Sequence, residues 1–172
     1  PPYREVYTMK LPGTYAAYAV IMAVFGQSAA GIHLGLALVN IASIVLVFLL
    51  GRKLLGESSG VAAAVAFALL SLSPSVLGLA AHATHFVVLA ALGGALVLVR
   101  ACEDQDQRRN AESRSRNSGT GFAFLPSPRS IFAPRPFLAG LLFGLAFLMK
   151  QHGLFFGLFG AIYLLRVRVG EW

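Results

Sequence analysis

Lys150 breaks an apolar run, Phe137 to Leu165, at Lys150-Gln151-His152-Gly153. A lysine in hydrocarbon costs on the order of 2.5–3.5 kcal/mol. At a break between two short helices it reads as a functional cation at the membrane boundary, and otherwise as a side chain snorkelling to headgroup phosphates. Lys10 precedes a second break, Pro12-Gly13, with Arg4 and Glu5 upstream in Tyr3-Arg4-Glu5-Val6-Tyr7. Lysine is a compact point charge that suits the phosphate of a mobile headgroup. His82 and His85 are three apart and share a face on a helix. They could hydrogen-bond a phosphate or sugar, or hold a divalent ion. No carboxylate or third ligand stands near them, so the plain alternative is polar residues at a helix start. His152 shares the break with Lys150, whereas His33 reads as a packing or helix–helix hydrogen-bonding residue. Cys102 is the one cysteine, and no CxxC or Cys/His finger spacing exists, so no metal site is assigned.

The elements that must position these residues are membrane helices. Apolar residues make up 57% of the 172-residue chain and charged residues 12%, whereas soluble domains run near a quarter charged. Lys and Arg number 14 against 7 Asp and Glu. That excess does not call for nucleic acid, because loop Lys and Arg orient membrane helices. The chain opens on Pro1-Pro2 without an initiator Met and stops just after an apolar run, so it is expected to be a piece of a longer polypeptide.

Apolar periodicity and breaks divide it into an extracytoplasmic loop, 1–13; an interfacial helix, 14–26, carrying Tyr15 and Tyr18; transmembrane helices at 28–51, 58–73 and 82–100; a polar stretch, 101–136, expected to be a disordered cytoplasmic loop; and short transmembrane helices at 137–149 and 153–165. Ser28 is a plausible N-cap, and Gly51-Arg52-Lys53 is expected to stop the helix it opens. Asn40, in mid-span, is expected to bond a neighbouring helix. Gly31-xxx-Gly35, Gly140-xxx-Gly144 and Gly153-xxx-Gly157 have the spacing that lets membrane helices approach closely. Phe155, Phe156 and Phe159 are expected to face lipid or pack.

Eleven of the fourteen basic residues fall in 51–57, 100–136 and 166–172. With those segments cytoplasmic, the helices between them alternate and the parity closes. Arg4, Lys10 and Lys150, with His82, His85 and His152, then collect on the extracytoplasmic face. The fold class expected is all-α, a polytopic transmembrane bundle of about five transmembrane segments, two of them short, plus one interfacial helix.

The order of motifs resembles the GT-C superfamily of polytopic glycosyltransferases, in its dolichyl-phosphate-mannose–protein mannosyltransferase-like and aminoarabinose-transferase-like branch. The matching stretches are Lys10-Leu11-Pro12-Gly13-Thr14-Tyr15, the close on Phe25-Gly26, the run Leu50 to Gly56, Leu72-Ser73-Pro74, and Gly140 to Lys150. His82-Ala83-Thr84-His85 stands where many relatives place an acidic residue.

The resemblance implies a larger GT-C-like membrane domain. It also implies inverting transfer of a sugar from a polyprenyl-phosphate donor to an extracytoplasmic glycan, lipid or protein acceptor, at the cell membrane. The general base of that family is an acid in the first extracytoplasmic loop, which would lie before Pro1; Glu5 is the one acid on the inferred face, and a solvent-facing partner for Arg4 is its other reading. Lys10, Lys150, Arg4, His82, His85 and His152 are the residues placed toward the substrate, with a divalent cation left open and no other cofactor. A secondary transporter or a non-catalytic assembly subunit would also be basic and polytopic. Transporters, however, gather ionisable groups near the midplane between internal repeats, and no such repeat is found here.

Overall fold

The computed structural model describes residues 11–72, 83–117 and 134–169, and these form α-helices with no strand among them. The helices are α1 (Pro12–Phe25), α2 (Ala29–Leu55), α3 (Glu57–Ser71), α4 (Thr84–Asn117), α5 (Pro134–Met149) and α6 (Gly153–Val169). At 1.5 Å per residue, α2 is about 40 Å long and α4 about 51 Å. Both are long and apolar enough to cross a membrane. Helices α1, α3, α5 and α6 are apolar but shorter.

Local chemistry explains most boundaries. Pro12 opens α1, where its missing N–H belongs to a group with no helical partner anyway. Ser28 caps α2, its hydroxyl accepting from the Gly31 N–H at 3.0 Å. Helix α2 does not stop at Gly51-Arg52-Lys53 but runs on to Leu55. Arg and Lys are good helix formers, and in a last turn they complement the negative end of the dipole. The stop comes instead at Gly56, where φ is +97°, a conformation that glycine adopts without the clash a Cβ would bring. The expectation of a loop from residue 101 is also overturned, because α4 continues helically to Asn117. Glu103, Gln105, Gln107, Arg108, Arg109 and Ala111 favour helix, and no glycine or proline occurs between Arg100 and Asn117. Residues 118–133 lie outside the described residues.

Helix α4 is the centre, packed against α2, α5 and α6, while α3 lies on α2 and α1 bridges α2 and α5. One core cluster joins Ile21 of α1, Leu36 of α2, Phe86, Val87, Ala90 and Ala91 of α4, and Ala146 and Met149 of α5. A second joins Leu98, Ala139 and Phe143. The start of α4 therefore meets the end of α5, while Asp104 late in α4 pairs with Arg135 at the start of α5. Lys53 at the end of α2 pairs with Glu103. Helices α2, α4 and α6 thus run one way and α3 and α5 the other.

The outer faces are apolar: Leu34, Leu38, Ile41 and Val45 make an exposed stripe at helical spacing on α2, and Phe155, Phe159 and Ile162 do the same on α6. Such continuous apolar surface suits lipid rather than water.

Small residues decide where backbones approach. A Cβ on Gly35 would meet Ile21 side-chain carbons at 2.5 Å, and one on Gly31 the Phe25 carbonyl at 2.5 Å, so this pair seats α1 on α2 as expected. Gly153 is tighter still, since a Cβ there would lie 2.3 Å from the Ala146 backbone. Gly140 and Gly144 instead have nothing within 4 Å and seat no helix among the described residues.

Asn40 does bond a neighbour: its Nδ2 donates to Ser71 Oγ at 3.0 Å, and Ser71 donates on to the Ala68 carbonyl at 2.8 Å. The Asn40 Oδ1 is buried without a donor among the described residues. Ser71→Ala is therefore expected to destabilise the bundle by about 0.6–1.7 kcal/mol. Asn40→Leu should cost less, because it also removes the unsatisfied carbonyl. Thermal unfolding in one detergent compares them, and equal losses would show that the orphaned oxygen carries no penalty.

Candidate functional site

The two motifs that flank the candidate lysines are fastened together, although they stand 135 residues apart. Thr14, in the first turn of α1, donates from Oγ1 to the Met149 carbonyl at 2.7 Å. Thr14 is only 1% exposed. Met149 ends α5, so its carbonyl is among the last four that no intrahelical N–H can reach. In an apolar surround an unmatched carbonyl is costly, and the threonine supplies the missing donor. Gly13 makes the approach possible: a Cβ there would lie 2.7 Å from the Leu148 carbonyl oxygen. The positive end of the α1 dipole meets the negative end of α5, which adds to the join.

Lys150 follows Met149 directly and is half-buried. Its N–H bonds back to the Ala146 carbonyl at 3.3 Å, and its own carbonyl accepts from Gly153 N–H at 2.8 Å. Lys150, Gln151 and His152 thus form a tight three-residue turn between α5 and α6, closed by the Gly153 contact. His152 is exposed in that turn. His85 lies in the first turn of α4, half-buried, one residue before Phe86, which shares the core cluster with Met149. Tyr18 of α1 packs edge-on against Phe86, ring centroids 5.5 Å apart, so α1, α4 and α5 are locked at one end of the bundle.

The structure therefore brings the Pro12-Gly13-Thr14 turn, His85, Lys150 and His152 to the same end. Arg4, Glu5, Lys10 and His82 lie outside the described residues. The expectation for His33 fails: it is exposed on α2, not packed between helices. Among the described residues no group of three His, Cys, Asp or Glu gathers that could hold a metal ion. The fastening by Thr14 had no signal in the sequence, because no spacing rule relates residues so far apart.

The opposite end of the bundle carries Arg52, Lys53, Glu57, Arg100, Glu103, Asp104, Arg135 and Arg166. Charge is therefore split between the two ends of an apolar bundle, with the sparse cationic end holding Lys150.

Over residues 10–110 the chain matches the family described as dolichyl-phosphate-mannose-protein mannosyltransferase, a stretch that runs from Lys10 through most of α4 and covers more than half of the chain. Lys150 and its motif lie beyond the matched stretch. No curated protein and no solved structure matches. With two helices apolar enough to span a bilayer and a match of this extent, the chain is that of a membrane protein and belongs to the dolichyl-phosphate-mannose-protein mannosyltransferase family, membrane glycosyltransferases of GT-C type.

Proposed function

We propose that this chain is part of a multi-pass glycosyltransferase of the cell membrane that moves a sugar from a polyprenyl-phosphate donor to an extracytoplasmic acceptor, with inversion at the anomeric carbon. The observation that carries the reading is the Thr14–Met149 fastening, which holds the start of the family-matched stretch against the turn containing Lys150. In such a transfer the polyprenyl phosphate is the leaving group and gains charge in the transition state. A fixed cation beside it lowers the barrier because it is already in place when the charge develops.

Lys150 is one such cation, and Lys10, one residue ahead of the described segment, is the second. His85 and His152, with His82 and Arg4, are the residues we assign to hydrogen-bond the phosphate or the sugar. Glu5 is the acid of this chain proposed to deprotonate the acceptor.

The test is transfer from a polyprenyl-phosphate sugar by the full-length protein in reconstituted vesicles. Donor-dependent transfer is expected, and a protein that carries sugar across without bond formation would remove the reading. Orientation is tested separately in intact cells with Cys102 replaced. A cysteine at Gln151 should react with an impermeant label, and one at Ser113 should not. Labelling at Ser113 alone would invert the arrangement.

A further inference from the structure

The charged end of the bundle, opposite the transferase site, contains a cavity of about 390 Å³ between α2, α4 and α5. Three cations from three helices line it: Lys53 in the last turn of α2, Arg100 on α4 and Arg135 in the first turn of α5. Two of them are engaged, Lys53 with Glu103 and Arg135 with Asp104. Both pairs are partly exposed, and exposed pairs hold their partners weakly. Among the described residues no acid lies within ion-pair distance of Arg100, so the cavity keeps one surplus positive charge. The N-terminus of α5 also points there with the positive end of its dipole.

Glu103 and Asp104 also line the cavity, and the remaining lining is apolar. Val97 and Leu138 lie where the apolar parts of α4 and α5 give way to charge. Next to Lys53 on α2, the Arg52 guanidinium lies over the Phe48 ring, 5.3 Å from its centroid. Cations above an apolar floor, at the depth where membrane helices leave hydrocarbon, match the division between a phosphate headgroup and its acyl chains. A soluble anion would gain nothing from that floor.

We propose that this cavity binds the headgroup of an anionic phospholipid, with Arg100 at its centre and Lys53 and Arg135 recruited from their exposed pairs. The bound lipid would tie α2, α4 and α5 together on the face away from sugar transfer. The assignment rests on the membrane reading above, but not on transferase activity.

The test uses the full-length protein in vesicles of phosphatidylcholine mixed with phosphatidylglycerol, with retained lipid counted by native mass spectrometry. Wild type should retain phosphatidylglycerol in preference to phosphatidylcholine. Arg100→Gln should lower that retention about fivefold, the weight of one basic residue near a charged surface. Glu103→Gln with Asp104→Asn should raise it, which distinguishes a changed site from a protein that has merely unfolded. Arg114→Gln, further out on α4, should leave it unchanged.

Equal retention by wild type and Arg100→Gln would overturn the proposal, as would an equal loss in Arg114→Gln, which would mean diffuse attraction. Complete displacement by inorganic phosphate would also overturn it, by showing a site for the free anion. Because lipid retention needs no turnover, an inactive transferase that still passes would count against the sugar-transfer reading alone.

Discussion

Lys150→Met in the full-length protein is expected to lower sugar transfer by roughly 30- to 1,000-fold while membrane insertion stays at the wild-type level. Loss of a charge-assisted contact to a developing phosphate costs about 2–4 kcal/mol in the transition state, and each 1.36 kcal/mol is tenfold in rate. The turn that carries Lys150 is anchored at both ends, by the Ala146 carbonyl before it and the Gly153 N–H after it. The ammonium therefore projects from a fixed backbone, and only its side-chain rotamers are left to order on the phosphate. Lys10→Met should fall in the same range. Arg at position 150 should rescue only partly, since a planar fork does not replace a point charge. If Lys150 merely snorkels, Lys150→Arg should behave as wild type, and Lys150→Met should alter helix stability more than turnover. Near-normal transfer in both Met variants would remove these lysines from the mechanism.

Local chemistry makes much of this fold readable in the sequence. Ser28 caps α2 and Asn40 reaches across to Ser71 because capping and mid-span polar bonding are short-range demands that a single residue announces. The breaks at Pro12 and at Lys150 to Gly153 were likewise written in residues that cannot continue a helix or do not belong in hydrocarbon. The helical extension of α4 was not readable, because Ser, Asn and alternating charges describe a solvated helix and a disordered loop equally well. What separates them is tertiary: the pairs from Glu103 to Lys53 and from Asp104 to Arg135 tie the root of the extension to two other helices.

Glycine spacing had the same limit. Gly31 and Gly35 face Phe25 and Ile21 closely, while Gly140 and Gly144, with identical spacing, face nothing within 4 Å among the described residues. Spacing says that a close approach is allowed and leaves open whether a partner comes. The candidate site was legible as separate residue types on one inferred face. What joins its parts, a threonine hydroxyl on a helix-end carbonyl, is a long-range contact with no periodic trace.

That join gives the second large effect. Gly13→Val is expected to reduce transfer about a hundredfold with insertion retained, the scale of loss when reacting groups are displaced by about 1 Å. A Cβ at Gly13 would lie 2.7 Å from the Leu148 carbonyl oxygen and 3.1 Å from the Met149 nitrogen, both backbone atoms at the end of α5. Neither helix can swing a side chain aside, so α1 must lift from α5. Lifting it draws the first turn of α1 away from the turn that holds Lys150 and strips Met149 of its donor.

Thr14→Val isolates the second part of that effect. It keeps the shape but leaves the buried Met149 carbonyl unmatched, at about 1–3 kcal/mol of stability. Thr14→Ser keeps the hydroxyl and should restore most of that loss. Ile21 and Tyr18 still hold the rest of α1 to the core through Leu36 and Phe86, so the bundle itself should survive all three changes. Transfer measured beside thermal unfolding separates the outcomes. If Gly13→Val turns over normally, the α1–α5 contact does not position the donor. If Thr14→Val and Thr14→Ser unfold at the same temperature, the hydroxyl is not what fastens α1 to α5.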